Sequence, residues 1–182
     1  MPHLFSHADQ TPPAHALIVE DEVETLELLS EFCRKQGLHV AGARDGRAAI
    51  AQITRTPAHF DIVITDVNLP GADGFEVLNA ARQSNPSCYV VIITGYATLD
   101  SAVRAVREGA YDYLPKPFAL GQLEIVLRRI RDRMMLEREN RELLKRQSET
   151  ARHPGTQAVD LSTRLLAIED RLERIETLLR RE

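Results

Sequence analysis

Carboxylates, a threonine and a lysine close a series of short apolar runs in this chain. Leu17-Ile18-Val19 runs into Glu20 and Asp21, and Ile62-Val63-Ile64-Thr65 runs into Asp66. Val90-Val91-Ile92-Ile93 runs into Thr94, and a shorter run from Tyr111 to Leu114 leads to Lys116-Pro117. In an open parallel α/β sheet the carboxyl ends of the strands form the ligand crevice. The residues closing these runs should therefore meet at one edge, where acidic groups, a hydroxyl and an ammonium suit a divalent metal beside a phosphoryl group. Each residue alone has an ordinary explanation. An Asp at a strand end is usually a cap or turn residue, a Lys before Pro is usually surface, and Thr favours strands in any case. Their joint occurrence, in order, carries the functional reading.

The elements that must position these residues follow from the pattern between them. Strand-like runs alternate with helix-period segments at short intervals, which argues for βα units and a parallel sheet. The first helix is expected from about Glu22 to Gln36, with Val23, Leu26, Leu29, Phe32 and Cys33 on its buried side and Gly37 as its stop. Leu38 to Ala41 reads as a second strand, and Asp45 as the cap of a helix to about Thr54 with Ala48, Ala49 and Ile53 inward. The third strand ends at Asp66, and 68–74 (Asn-Leu-Pro-Gly-Ala-Asp-Gly) is dense in turn formers. A helix follows with Phe75, Val77, Leu78 and Ala81 inward; then a strand from Tyr89 to Thr94, a helix from Leu99 to Glu108 stopped by Gly109, and the short fifth strand. The third and fourth strands are nearly continuous apolar runs, as expected where helices cover both faces.

With this order of motifs the chain resembles the receiver domain of two-component response regulators. It is most similar to receivers of the NtrC type, through the stretch Gly109-Ala110-Tyr111-Asp112-Tyr113-Leu114-Pro115-Lys116-Pro117-Phe118. The resemblance covers about residues 14 to 132. It implies a doubly wound, flavodoxin-like (βα)5 sheet in the order 2-1-3-4-5. It also implies Mg²⁺ as cofactor, held by Asp21, Asp66 and the backbone carbonyl of Asn68, with Glu20 beside them directly or through water. A hard cation of this kind takes oxygen ligands and keeps several waters. Three crowded carboxylates repel one another, and a cation relieves the cost. Asp66 is the candidate nucleophile, since carboxylates form covalent phosphoryl intermediates. Lys116 would meet a phosphoryl oxygen as a point charge, and Thr94 would donate its hydroxyl. In the resemblance Tyr113 is the switch aromatic, Asn68 and Tyr96 border the attacking water and tune dephosphorylation, and Lys116-Pro117 is cis. Expected partners are a sensor histidine kinase or a phosphotransfer protein. The chain is then not a turnover enzyme but a phosphoacceptor switch.

Bulk properties bound the alternatives. A length of 182 residues and 43% hydrophobic content suit one domain with an appendage. No run of 18 apolar residues is present, so no transmembrane helix or membrane partner is expected. The start of the chain lacks a charged head and an apolar core, so it is not read as a secretory signal, and residues 1–13 are expected to be a disordered lead-in. Cys33 and Cys88 are expected as buried small hydrophobes in a cytoplasmic protein. Residues 1–127 carry 9 basic and 16 acidic side chains, whereas 128–159 carry 9 basic and 5 acidic ones. Any nucleic-acid site would have to lie in that second stretch. Its arginines alternate with Glu137, Glu139, Glu142 and Glu149, which reads as i,i+4 pairing on a solvated helix, and nucleic acid is disfavoured as a partner.

Beyond the receiver, at 133–152, the fifth helix is expected to continue from about Leu120 through Leu136, Leu143 and Leu144 to about Glu149. A linker at 153–159 holds His153-Pro154-Gly155. Residues 160–182 then place Leu165, Leu172 and Leu179 at heptad position a and Leu161, Ile168 and Ile175 at d. Leu at a with Ile at d favours bundles larger than a dimer. The expectation is a homo-oligomer, with folding of this helix onto its own receiver as the alternative. The chain has no phosphate-binding loop of the Gly-rich Lys-Ser/Thr kind. The primary reading is a phosphorylation-dependent regulator acting through protein contacts and oligomerisation, by way of the face of helix four, strand five and helix five and the C-terminal helix. The alternatives are a transcriptional regulator binding DNA through the basic helix 128–152, and a coiled-coil scaffold carrying a receiver. A phosphatase of the aspartyl-phosphate type is disfavoured, because such enzymes place an acid where this chain has Asn68.

Overall fold

The computed structural model describes residues 13–55 and 60–151, with side chains through residue 147. Ten elements alternate: β1 (His15–Val19), α1 (Val23–Lys35), β2 (His39–Ala43), α2 (Gly46–Arg55), β3 (Ile62–Asp66), α3 (Gly74–Ser84), β4 (Tyr89–Thr94), α4 (Leu99–Glu108), β5 (Asp112–Pro115) and α5 (Leu120–Ala151). The strands form one parallel sheet in the order β2-β1-β3-β4-β5. The doubly wound sheet implied by the resemblance is the one observed. The chain divides into two units, one running to Asp132 and a second starting at Arg133. The expected lead-in, the linker and the heptad segment 160–182 lie outside the described residues, apart from Pro13.

Alternation along the strands explains the two covered faces. Leu17, Val19, Val63, Val90 and Ile92 pack in one cluster with Ala49 and Ile53 of α2, Phe75 and Leu78 of α3, and Ala105 of α4. The intervening positions Ile18, Ile62, Ile64, Val91 and Ile93 are just as fully buried. The remaining helices, α1 and α5, bring buried Leu29, Cys33, Leu123, Leu127 and Ile130. A central strand with no exposed position needs apolar residues on both sides, which is why β3 and β4 read as unbroken runs.

Helix boundaries have local causes. Asp73 caps α3 by accepting the Glu76 N–H at 2.8 Å, and the Glu76 carboxylate accepts the Asp73 N–H at 2.8 Å, a reciprocal capping box. Thr98 and Ser101 do the same for α4. Gly109 ends α4 at φ 86°, a left-handed conformation that favours glycine. One inward assignment is corrected: Val23 is 41% exposed. It opens α1, where the chain has only just left the rim of the sheet, so helical spacing alone overstated its burial.

Cys33 and Cys88 are both free and buried. Burial pushes each thiol up to about 12, with the Asp61 charge adding to the effect at Cys88. The thiolate is the reactive form. At pH 8 a thiol reagent should therefore leave both cysteines of the folded chain unmodified for hours and label both at once in denaturant. Rapid labelling of either in the native chain would contradict this packing.

Candidate functional site

Register brings the expected residues to one rim. Val19 pairs with Thr65, so Glu20 and Asp66 follow side by side on neighbouring strands. Asp66 pairs with Ile93, and Thr94 with Pro115, so Thr94 and Lys116 lie on the same edge. The peptide bond between Lys116 and Pro117 is cis, and the Lys116 N–H donates to the Thr94 carbonyl at 2.8 Å.

The centre of the site is the Lys116 ammonium. Its Nζ donates to Glu20 Oε2 at 2.6 Å and to Asp66 Oδ2 at 2.8 Å. Glu20 is 1% exposed, Asp66 7% and Thr94 0%. Burial works against charge on Lys116, but its hydrogen bonds to Asp66 and Glu20, together with their charges, outweigh that and hold its pKa above the ordinary 10.5. Burial pushes Glu20 above its ordinary 4.5; the Lys116 hydrogen bond and charge offset part of this, while Asp66 and Asp21 add to it. The other Asp66 oxygen, Oδ1, accepts the Asn68 N–H at 3.1 Å. Thr94 Oγ1 accepts the Tyr96 N–H at 3.3 Å.

Not every expected residue converges. Asp21 is exposed at the rim, and Tyr96 is 78% exposed. Tyr113 is half-buried and points its hydroxyl at Ser101 Oγ, 2.8 Å away, across from the first turn of α4. Among the described residues no group of three His, Cys, Asp or Glu side chains is already gathered as a metal-ligand cluster; Glu20 and Asp66 are turned toward Lys116 instead. The donor set nonetheless fits Mg²⁺. Glu20, Asp21 and Asp66 offer hard oxygens, and one ammonium does not balance the buried Glu20 and Asp66 together with Asp21 at the rim.

Three supporting features were not read from the sequence as such. Thr65 Oγ1 donates to the Asp66 carbonyl at 3.0 Å and is fully buried. Gly74, taken only as a turn former, starts α3 so close to β3 that a Cβ there would lie 2.0 Å from the Asp66 carbonyl oxygen. Gly46 likewise leaves no room, since a Cβ would fall 1.9 Å from the Ala72 carbonyl oxygen. The signal for Gly74 was its place directly after the Asp73 cap, where glycine is not required by the helix itself. Among the described residues no helix is long and apolar enough to cross a membrane.

A family model for the response regulator receiver domain matches residues 16–128. The response regulator PilR of Pseudomonas aeruginosa is 38% identical over 108 residues, 59% of this chain and 24% of its own. The nitrogen assimilation regulatory protein NtrX of Azorhizobium caulinodans is 35% identical over 130 residues, 70% of this chain and 28% of its own. The chain thus spans about a quarter of the length of these curated relatives. Among solved structures, a receiver domain protein of Clostridium thermocellum superposes with a TM-score of 0.62 at 30% identity, covering 68% of this chain and 98% of its own. A CheY-like receiver domain protein of Methanospirillum hungatei gives 0.65 at 26% identity, covering 69% and 99%.

The raised pKa of Lys116 has a definite sign in stability. A group held above its unfolded value contributes stability that is complete below 10.5 and lost as pH rises through the folded value. Glu20 follows the same sign, with its share complete below 4.5 and lost above. In metal chelator, Lys116→Met should be less stable than wild type at pH 7 by about 2–3 kcal/mol, toward the lower side of buried-pair losses because the lysine side chain keeps 24% exposure. Thermal melts as a function of pH should show that gap narrowing above pH 10.5; a gap that is constant or widening there would exclude Lys116 as the group responsible.

Proposed function

The chain belongs to the response regulator receiver family of two-component signal transduction, and from that premise we propose that it is a phosphorylation-controlled switch with Asp66 as phosphoacceptor. The observation that carries this reading is the ammonium of Lys116 shared between Glu20 and Asp66, at 2.6 and 2.8 Å, on the carboxyl rim of the sheet. In an open α/β sheet that rim is where ligands bind.

The donor is a phosphohistidine of a sensor kinase or phosphotransfer protein. An Asp66 carboxylate oxygen attacks phosphorus, the phosphorus–nitrogen bond breaks, and the electron pair leaves with the imidazole. Positioning and charge neutralisation dominate such transfers, so the chain need only hold its groups in place. The Asn68 N–H keeps one Asp66 oxygen oriented. Lys116 reorients from the Asp66 carboxylate toward the phosphoryl oxygens, keeping Glu20 as its second partner. The Thr94 hydroxyl donates to another phosphoryl oxygen. Asp21, Asp66 and the Asn68 carbonyl would hold Mg²⁺, with Glu20 alongside. When bound, the metal neutralises charge on the phosphoryl oxygens. Asn68 and Tyr96 would govern approach of water and so the lifetime of the acyl phosphate.

The readout is proposed at the α4-β5-α5 face. Leu99 and Val106 on α4 are 80% and 75% exposed, and Ile125 on α5 is 48% exposed. The movement of Thr94 and Tyr113 on phosphorylation changes what this face presents. In the second unit, Met135, Leu136, Leu143 and Leu144 of α5 are exposed apolar residues, with Leu136 and Leu143 one heptad apart. Together with the a and d pattern of 160–182 they support self-association. Arg128 and Arg133 pair with Glu124 and Glu137 at i,i+4 spacing, at 3.5 and 3.2 Å, which favours a solvated helix over a nucleic-acid surface.

Acetyl phosphate or beryllofluoride with Mg²⁺ should modify or occupy wild type and leave Asp66→Ala unchanged, read by intact mass or by fluorescence titration. An equal response from the two proteins would exclude Asp66 as acceptor. Light scattering on the full chain and on a version ending at Thr150 should give a larger assembly for the full chain; equal protomer numbers would remove the oligomer from the reading.

A further inference from the structure

Helix α4 is held unevenly. Its later turns are fastened to α3. The Arg104 guanidinium lies 3.9 Å from the centre of the Phe75 ring, Asn79 reaches Glu108 at 3.2 Å, and Arg82 reaches the Gly109 carbonyl at 3.4 Å. The first turn has far less to hold it. Leu99 is 80% exposed, Asp100 is exposed, and Ala105 further along is the buried residue of the helix.

Ser101 ties that first turn to the sheet. Its Oγ is 2.8 Å from the Tyr113 hydroxyl on β5. The same oxygen accepts the Thr98 N–H at 3.0 Å, lies 3.0 Å from the Thr98 hydroxyl and 2.9 Å from the Thr98 carbonyl. A serine hydroxyl has one proton to give and two lone pairs. Ser101 can give its proton to the Thr98 carbonyl or to the Tyr113 oxygen, and its lone pairs serve the Thr98 N–H and one of the two neighbouring hydroxyls, of Thr98 or Tyr113. The contact with the aromatic ring and the Ser101 half of the helix cap thus meet in one oxygen.

We infer that Ser101 is a positioning residue that joins the Tyr113 ring to the first turn of α4, so that the ring and the turn change position together. The inference rests on the reading of Tyr113 as a movable aromatic. Leu99, Val103 and Val106 follow at i, i+4 and i+7 and share one exposed face. A change at Ser101 therefore re-aims the start of that face. Coupling between sites is reciprocal, so the strength of this tether must also appear in the affinity of the Asp66 site for a phosphoryl mimic.

Beryllofluoride with Mg²⁺ titrated into the full chain reads that coupling. Ser101→Ala and Tyr113→Phe should each shift its Kd in the same direction by roughly 2- to 12-fold, the range of one intramolecular hydrogen bond. The double variant should match Ser101→Ala, which already removes the contact with Tyr113, and Ser101→Thr, which keeps the hydroxyl, should stay near wild type. Additive single effects would overturn the inference. Hydrogen exchange on the chain without the mimic gives a second readout. Tyr113→Phe leaves the Thr98–Ser101 cap in place, yet should speed exchange of the amides of residues 101–103 by a similar factor and leave α1 unchanged. Unaltered exchange there would also overturn it. If wild type takes up no beryllofluoride, the phosphoacceptor reading fails, and the exchange experiment still decides the tether.

Discussion

One ammonium is shared by two carboxylates while a third stands exposed at the rim, and the rest of the site is arranged around that imbalance. Lys116 closes two contacts, to Glu20 and Asp66, in a place where Glu20 is almost wholly out of water. A buried ion pair of this kind is weak as a source of stability, because desolvation consumes most of the attraction. Its value lies elsewhere. Removing the ammonium leaves both carboxylates uncompensated, and the surplus negative charge makes the group responsive to one added cation. The sheet makes such crowding tolerable by fixing the backbone: β3 and β4 are buried along their whole length, and the carbonyl of Thr94 fastens the main chain of Lys116.

The site and the surface that would report on it are made of different material. The Asp66 carboxylate and the Thr94 hydroxyl are set in strand ends of a dense core, whereas Leu99, Val103 and Val106 of α4 are out in solvent. Local stability falls where buried apolar contacts are few. A small electrostatic change in the rigid part can therefore be absorbed by rearrangement in the lightly held first turn of α4, a helix whose buried residue is Ala105.

Much of the architecture was legible because its causes are local or periodic. The apolar runs placed β3 and β4, the turn formers placed the break after Asp66, and Gly109 placed the end of α4. The inward faces of α2 and α3 followed from spacing, and Phe75, Val77, Leu78 and Ala81 are buried as that spacing requires. Carboxyl-end logic gathered Glu20, Asp66, Thr94 and Lys116 to one rim, since register follows from the sheet. What escaped were contacts between elements. The proximity of Ser101 and Tyr113 depends on the height at which α4 packs beside β5, and no periodicity encodes that. The reason for Gly74 is a neighbouring strand's carbonyl, not its own φ. Val23 was misjudged because spacing gives a face but not the point at which a helix meets its sheet.

Two glycines at the rim of the sheet illustrate opposite constraints on change. A methyl group at position 74 would collide with main-chain atoms of Asp66, whereas one at position 95 would meet nothing within 4 Å. Diversification around the rim is thus channelled: the α3 side is closed to any larger side chain, and the loop following Thr94 stands open to it. An engineer seeking to reshape the rim has room to work on that open flank without disturbing the strand that carries the Asp66 carboxylate.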